Sequence, residues 1–101
     1  MEFELRNTDS ILEVNLSGRM EFTDHIRFRE LINSISNERS KSIVFNLSNL
    51  DFIDSSGLGM LIIANSIARQ NKLNFSLRSP KEMVKRILEV AKFHTIAAIE
   101  A

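Results

Sequence analysis

Cysteine is absent from the 101 residues, which excludes disulfides and cysteine-ligated metal sites but leaves the compartment open. Charge of one sign is absent too. Thirteen Lys and Arg balance thirteen Asp and Glu, so no global field draws in DNA, RNA or an anionic lipid surface. Long hydrophobic runs are also missing. The longest, Leu58 to Ala64 interrupted by Gly59, falls far below the roughly 18 residues needed to span a bilayer. The opening Met1-Glu2-Phe3-Glu4-Leu5-Arg6 lacks the basic and apolar regions of a signal peptide. Direct nucleic-acid binding and membrane insertion are therefore not expected, and the cytoplasm is the expected compartment.

The usual catalytic patterns are equally scarce. No glycine series followed by Lys and Ser/Thr supplies a phosphate cradle, and Gly57-Leu58-Gly59 lacks the spacing of a dinucleotide fingerprint. A nucleophile elbow would need glycine where Ile53 stands. His25 and His94 are the only histidines, and neither lies in a cluster of metal-ligand residues. Asp51 and Asp54 are close in sequence, but spacing in a loop does not make an acid–base pair. No cofactor, no metal and no enzymatic activity are expected.

What is present describes one small α/β domain over residues 1–101. A hydrophobic fraction of 44% and a charged fraction of 26% are ordinary for a globular chain long enough for one core. Phe3 and Leu5 alternate with charges, as do Leu12, Val14 and Leu16 with polar residues, and Asn7-Thr8-Asp9-Ser10 is a turn cluster. Two strands in a hairpin are predicted, the second ending at Gly18. Thr23 or Asp24 then caps a helix whose Phe28, Leu31, Ile32 and Ile35 recur at i, i+3, i+4 and i+7. A polar return over residues 36–42 precedes a β-branched and aromatic strand, Ile43 to Leu47. After a second helix comes Leu73 to Leu77 as a fourth strand, and Ser79-Pro80 begins a third helix with Met83, Val84, Ile87, Leu88 and Ala91 as its buried stripe. Ile96 to Ile99 reads as a short last strand. Strand–helix alternation from residue 43 implies parallel pairing, and the opening hairpin makes the sheet mixed, with about five strands.

Asp54-Ser55-Ser56-Gly57-Leu58-Gly59 places two hydroxyls where a polar loop turns into an apolar helix. Unsatisfied backbone N–H groups and the helix dipole there favour an anion. Asp54, Ser55 or Ser56 can cap the helix, as these residue types routinely do, and capping does not exclude function. The serine reads as a substrate more than a catalyst, because a kinase supplies ATP, metal and base while the acceptor only presents a hydroxyl. Gly57 and Gly59 leave little side-chain bulk around it. In a parallel sheet the carboxyl-end loops share one edge. That edge gathers Gly18 to Thr23, Asp51 to Gly57, and the turn Arg78-Ser79-Pro80.

The stretch from Ser48 to Gly59, Ser-Asn-Leu-Asp-Phe-Ile-Asp-Ser-Ser-Gly-Leu-Gly, resembles the signature of the STAS family of anti-sigma factor antagonists. With the element order, the resemblance covers nearly the whole chain. It implies that Ser55, directly after Asp54, is the residue phosphorylated by a partner kinase. Ser56 occupies the neighbouring position, which is not the usual acceptor. Asp54, Ser56, Gly57 and Gly59 form the phosphosite environment on this pattern. The resemblance further implies that the unphosphorylated protein binds an anti-sigma factor, typically a GHKL-type serine kinase, that phosphorylation ends the complex, and that a PP2C-type phosphatase restores it. Glu21 stands where many relatives carry an aspartate, and Glu21, Asp51, Leu58 and Met60 are expected to contact the partner, with Ile63 a further candidate. Leu58, Met60 and Ile63 are residue types more often found in the core than at a surface. Many relatives continue into another amphipathic helix, and apolar surface left here would be covered by a partner or a second copy. A homodimer stays open, since no motif specifies it. The alternative reading is a non-enzymatic STAS accessory subunit of a transport or signalling complex, in which Ser55 is only a cap. A nucleotide-binding or hydrolytic enzyme is a third reading and lacks its motifs.

Overall fold

The computed structural model describes residues 1–36 and 39–101, with Ser36 by its backbone only. Alternation builds the hairpin: β1 (Glu2–Thr8) lies antiparallel to β2 (Ile11–Met20), with Thr8 opposite Ile11. Asp9 and Ser10 take φ values of 46° and 68°, the two left-handed residues that a tight hairpin turn requires. Among the described residues there follow α1 (His25–Ser36), β3 (Ser42–Ile53), α2 (Ser55–Gln70), β4 (Asn74–Arg78), α3 (Glu82–Val90) and β5 (Ala98–Glu100). Short 3₁₀ turns occupy Phe22–Asp24 and Phe93–Thr95.

The sheet order is β1-β2-β3-β4-β5, with β2 to β5 mutually parallel. The predicted mixed five-stranded sheet is therefore found. Val14, Phe45 and Leu77 sit side by side across the central strands and are buried. They share one core with Leu31 and Ile35 of α1, Leu61 and Ala64 of α2, and Val84 and Leu88 of α3. Sequential strand order with crossovers of one hand places all three helices on that face. The opposite face is polar, and Arg78 there bridges Glu13 at 3.2 Å and Glu100 at 3.3 Å.

Several boundaries differ from the sequence reading, each for a local reason. Gly18 does not end β2; with φ +83° it passes the strand through a register break between Gly18 and Arg19, as a bulge glycine does. Pairing with this extended β2 carries β3 on to Ile53, so Asp51 and Phe52 are strand residues and not loop. The third helix starts at Glu82 with Lys81 as its cap position. Ser79 instead holds φ +55° and donates its N–H to the Glu100 carbonyl at 2.9 Å, which commits it to β5. Met83 and Ala91 are consequently exposed while Val84 and Leu88 are buried. The last strand lies two residues later than expected, because Phe93–Thr95 forms a 3₁₀ turn. Part of the polar return, residues 37 and 38, lies outside the described residues.

The connection into α1 has Glu21 at its cap position, not Thr23 or Asp24, and Asp24 closes it from the third residue of the turn. Its Oδ2 accepts from the Glu21 N–H at 2.8 Å and its Oδ1 from the Met1 ammonium at 2.8 Å. Burial pushes the Asp24 carboxyl up, but these two hydrogen bonds outweigh it and hold the group below its ordinary value. A carboxylate with a depressed folded-state pKa contributes stability above its unfolded value, and that contribution fades as pH falls through the folded value. Asp24→Ala should therefore lower unfolding free energy by about 1 kcal/mol at pH 7. Urea titrations should show the deficit vanishing as the pH falls below about 4.

Candidate phosphoacceptor site

Asp54 is the residue on which the site is built. It leaves β3 with an extended backbone, φ −102° and ψ −174°, and its Oδ1 accepts from the Gly57 N–H at 2.8 Å. Its carbonyl accepts from the Leu58 N–H at 2.9 Å, and its own N–H donates to the Met20 carbonyl at 3.2 Å. Its Oδ2 accepts from the Phe22 N–H at 3.3 Å. The helix cap is thus Asp54 alone among the three candidates. Ser55 is the first residue of α2 and is exposed, and among the described residues its hydroxyl has no hydrogen-bond partner. Ser56 is half-buried.

The two glycines of the motif serve different ends. Gly57 is buried, and a Cβ there would stand 2.5 Å from both Ile53 Cγ1 and the Met20 carbonyl oxygen. Only glycine lets the first turn of α2 lie this close to the ends of β2 and β3. Gly59 has nothing within 4 Å of a built Cβ, so packing within the chain does not demand it. It follows Ser55 by one helical turn and shares its face.

Charges crowd this edge. Arg19 Nε donates to Glu21 Oε1 at 2.9 Å while its guanidinium lies 4.3 Å from the centre of the Phe52 ring. The bond to Glu21, with the fields of Asp51 and Asp54, holds Arg19 still more firmly protonated. Lys81 Nζ pairs with Asp51 Oδ1 at 2.5 Å. Three carboxylates (Glu21, Asp51, Asp54) thus face two cations (Arg19, Lys81), a local balance of −1. Both cations are already engaged. Of the expected turn at residues 78–80, the neighbouring Lys81 reaches this edge, while Arg78 turns to the open face of the sheet.

The expected contact residues divide. Glu21 and Asp51 lie on the charged edge. Leu58 is half-buried against the core. Met60 is 6% exposed and belongs to the core, so its expected place at a partner surface is corrected. The inward stripe of α2 runs through Gly57, Met60, Leu61, Ala64, Asn65 and Ala68, which turns Ile62 and Ile63 outward. Sequence reasoning placed Phe22 on this edge without singling it out, and missed Ile26. Phe22 and Ile26 are 66% and 64% exposed, and Phe22 is bonded through its N–H to Asp54. Ile26 lies two residues before Phe28, on the wrong side of the α1 stripe for burial, and that offset was the available signal. Beside them His25, Phe28, Arg29, Ile32, Met60 and Ile63 line a cleft of about 300 Å³ between α1 and α2. The edge therefore joins a free hydroxyl, an acidic rim and exposed apolar surface, which suits docking and group acceptance. Among the described residues no cluster of His, Cys, Asp or Glu could hold a metal ion, and no helix is long and apolar enough to cross a membrane.

Comparison with known proteins agrees with the fold. The STAS domain family model matches residues 2–101. A STAS-domain containing protein of Pseudomonas aeruginosa is 28% identical over 88 residues, covering 87% of this chain and 86% of its own. An anti-sigma F factor antagonist of Paenibacillus polymyxa is 27% identical over 101 residues, covering 98% and 86%. Among solved structures, a Thermotoga maritima protein provisionally assigned as an anti-sigma factor antagonist superposes with a TM-score of 0.88 at 22% identity, covering 98% of this chain and 86% of that one. The anti-sigma factor antagonist SpoIIAA superposes in its unphosphorylated form with a TM-score of 0.79 at 18% identity, covering 99% and 89%. The phosphorylated form of SpoIIAA from Bacillus gives 0.72 at 19% identity, covering 99% and 92%.

The glycine pair gives opposite expectations. Gly57→Ala should cost about 1–3 kcal/mol through overpacking against Ile53 and the Met20 carbonyl. Gly59→Ala should stabilise by about 0.5–1 kcal/mol, because alanine is the better helix former and meets nothing. Urea midpoints at unchanged m-value check both signs, and a destabilised Gly59→Ala protein would contradict the packing described here.

Proposed function

Because the chain belongs to the STAS domain family, we propose that it is the switchable antagonist of a partner-switching pathway. With Ser55 unphosphorylated it binds an anti-sigma factor of the GHKL serine-kinase type; phosphorylation of Ser55 by that kinase ends the complex, and a PP2C-type phosphatase restores it. The pathway operates in the cytoplasm, where the kinase meets its ATP. The observation that carries this reading is the Ser55 hydroxyl, exposed and unengaged at a helix start that Asp54 has already capped. Relatives named as anti-sigma factor antagonists support it, as does the fold shared with SpoIIAA.

The domain itself acts as substrate and ligand, not as catalyst. A phosphate adds about −1.5 to −2 charges to an edge whose balance is already −1 and whose two cations are paired. The new charge therefore repels the partner more than it reorganises this domain. Glu21, Asp51, Phe22, Ile26 and the outer face of α2 form the docking surface. Gly59, bare beside Ser55, gives the kinase room to approach.

Incubation with the kinase and ATP, followed by mass spectrometry, should place one phosphate on Ser55. Ser55→Ala should hold the partner and persist in ATP, whereas Ser55→Glu and the phosphorylated protein should bind more than about tenfold more weakly, a loss of at least ~1.4 kcal/mol. Full affinity of both charged forms refutes the switch. Absence of phosphate with unchanged partner binding in all Ser55 variants would favour the accessory-subunit reading.

A further inference from the structure

Away from Ser55, a cleft opens where β4 loses its neighbour. β5 pairs only with Ser76 to Arg78, leaving Asn74 and Phe75 without a strand on that side. The opening has a volume of about 530 Å³, within the range of small-molecule sites. Leu73, Phe75, Ile96 and Ala97 give it an apolar wall. Asn65 of α2 also lines it. Asn65 is 8% exposed, the single buried polar side chain of the described core, and among the described residues its amide makes no hydrogen bond. Among the described residues no side-chain polar atom is both buried and unpaired, so the Asn65 amide is not shut off from water but stays open to the cleft, where a ligand can take its hydrogen bonds.

We propose that this cleft binds a small amphipathic carboxylate, with the head held by Asn65 and Arg69 and the apolar body lying on Leu73, Phe75 and Ala97. Asn65 and Arg69 are one helical turn apart and so address one spot. Arg69 lines the cleft and has no ion pair among the described residues, so a planar guanidinium and an amide stand ready for two carboxylate oxygens. The neighbouring cation is already occupied: Arg78 holds Glu13 at 3.2 Å and Glu100 at 3.3 Å. Glu100 itself lines the cleft and opposes a second negative charge, which selects a monoanion over a phosphate dianion. The site is separate from the switch. Arg69 follows Ser55 by 69 − 55 = 14 residues of one helix, about 21 Å at the helical rise.

The test uses the full chain, isotope-labelled, titrated by NMR with sodium octanoate, and in parallel with acetate, 1-octanol and octyl phosphate. Saturable shifts should centre on Asn65, Arg69, Phe75 and Ala97, with octanoate at least about tenfold tighter than each of the other three. Asn65→Leu and Arg69→Gln should each stay folded and bind octanoate roughly fivefold or more weakly. Ser55→Glu should bind it like the wild type, so the fate of the kinase switch does not bear on the result. Shifts that never saturate, octanol binding as well as octanoate, octyl phosphate binding as tightly, or unaltered affinity in both variants would each overturn the assignment.

Discussion

Asp54 binds three pieces of the molecule at once. Through its side chain and backbone it holds Gly57 and Leu58 of α2, Phe22 of the connection to α1, and Met20 at the end of β2. An N-cap is worth about 1 kcal/mol on its own; here the same carboxylate also fixes where the neighbouring connection lies. The consequence for function is indirect. A helix start needs its free N–H groups satisfied, and a serine at the cap would have surrendered its hydroxyl to that duty. With an aspartate in that role one residue earlier, the serine hydroxyl at the first helical position is released to solvent.

The sheet supplies the platform on which this arrangement is legible to a partner. Parallel pairing of β2 with β3 brings Arg19 beside Phe52 and Met20 beside Ile53, so the connections that follow both strands emerge at one edge. The register breaks between Asn15 and Ser17 and between Gly18 and Arg19 are part of this. They keep two strands of ten and twelve residues paired to their ends while the positive φ of Gly18 absorbs the irregularity. Gly57 then lets α2 begin flush against that edge. Bulge, cap and close approach are one construction, and each of the three has its residue in the chain for a steric or hydrogen-bonding reason.

Much of this was readable beforehand. The alternation at Leu12, Val14 and Leu16 and the stripe at Phe28, Leu31 and Ile35 announced a hairpin and an amphipathic helix, because one-sided burial writes its period into the chain. Residue type at a strand-to-helix junction pointed to the pair Ser55 and Ser56, and the STAS resemblance chose Ser55 between them. What stayed hidden depends on partners far away in sequence. Whether Asp54, Ser55 or Ser56 caps α2 is decided by backbone angles that three chemically competent residues could each adopt. The inward phase of α2 is ambiguous in a run as apolar as Leu58 to Ala64, so Met60 looked as available as Ile63. Gly57 and Gly59 are identical letters, and only the Met20 carbonyl above one of them tells them apart. Ser79-Pro80 carries a strong local helix-start signal, yet the Ser79 N–H is claimed by Glu100, a contact across more than twenty residues.

Electrostatic magnitudes decide how a phosphate at this place would act. The helix start offsets about half a charge, and an exposed anion there gains 0.3–1 kcal/mol. That is enough for the domain to tolerate a phosphate, since nothing near Ser55 needs to be buried or broken. It is too little to silence it, because about one to one and a half charges remain uncompensated, with Arg19 and Lys81 held by Glu21 and Asp51. Across an interface, two like unit charges about 6 Å apart repel by ~3 kcal/mol at an effective dielectric constant near 20, which is a hundredfold or more in affinity. The asymmetry follows from placement alone: the same group costs the isolated domain little and costs a docked complex much. A basic rim would have reversed it, drawing the phosphate inward and spending it on this domain's own structure. The acidic one directs it outward, toward whatever stands opposite.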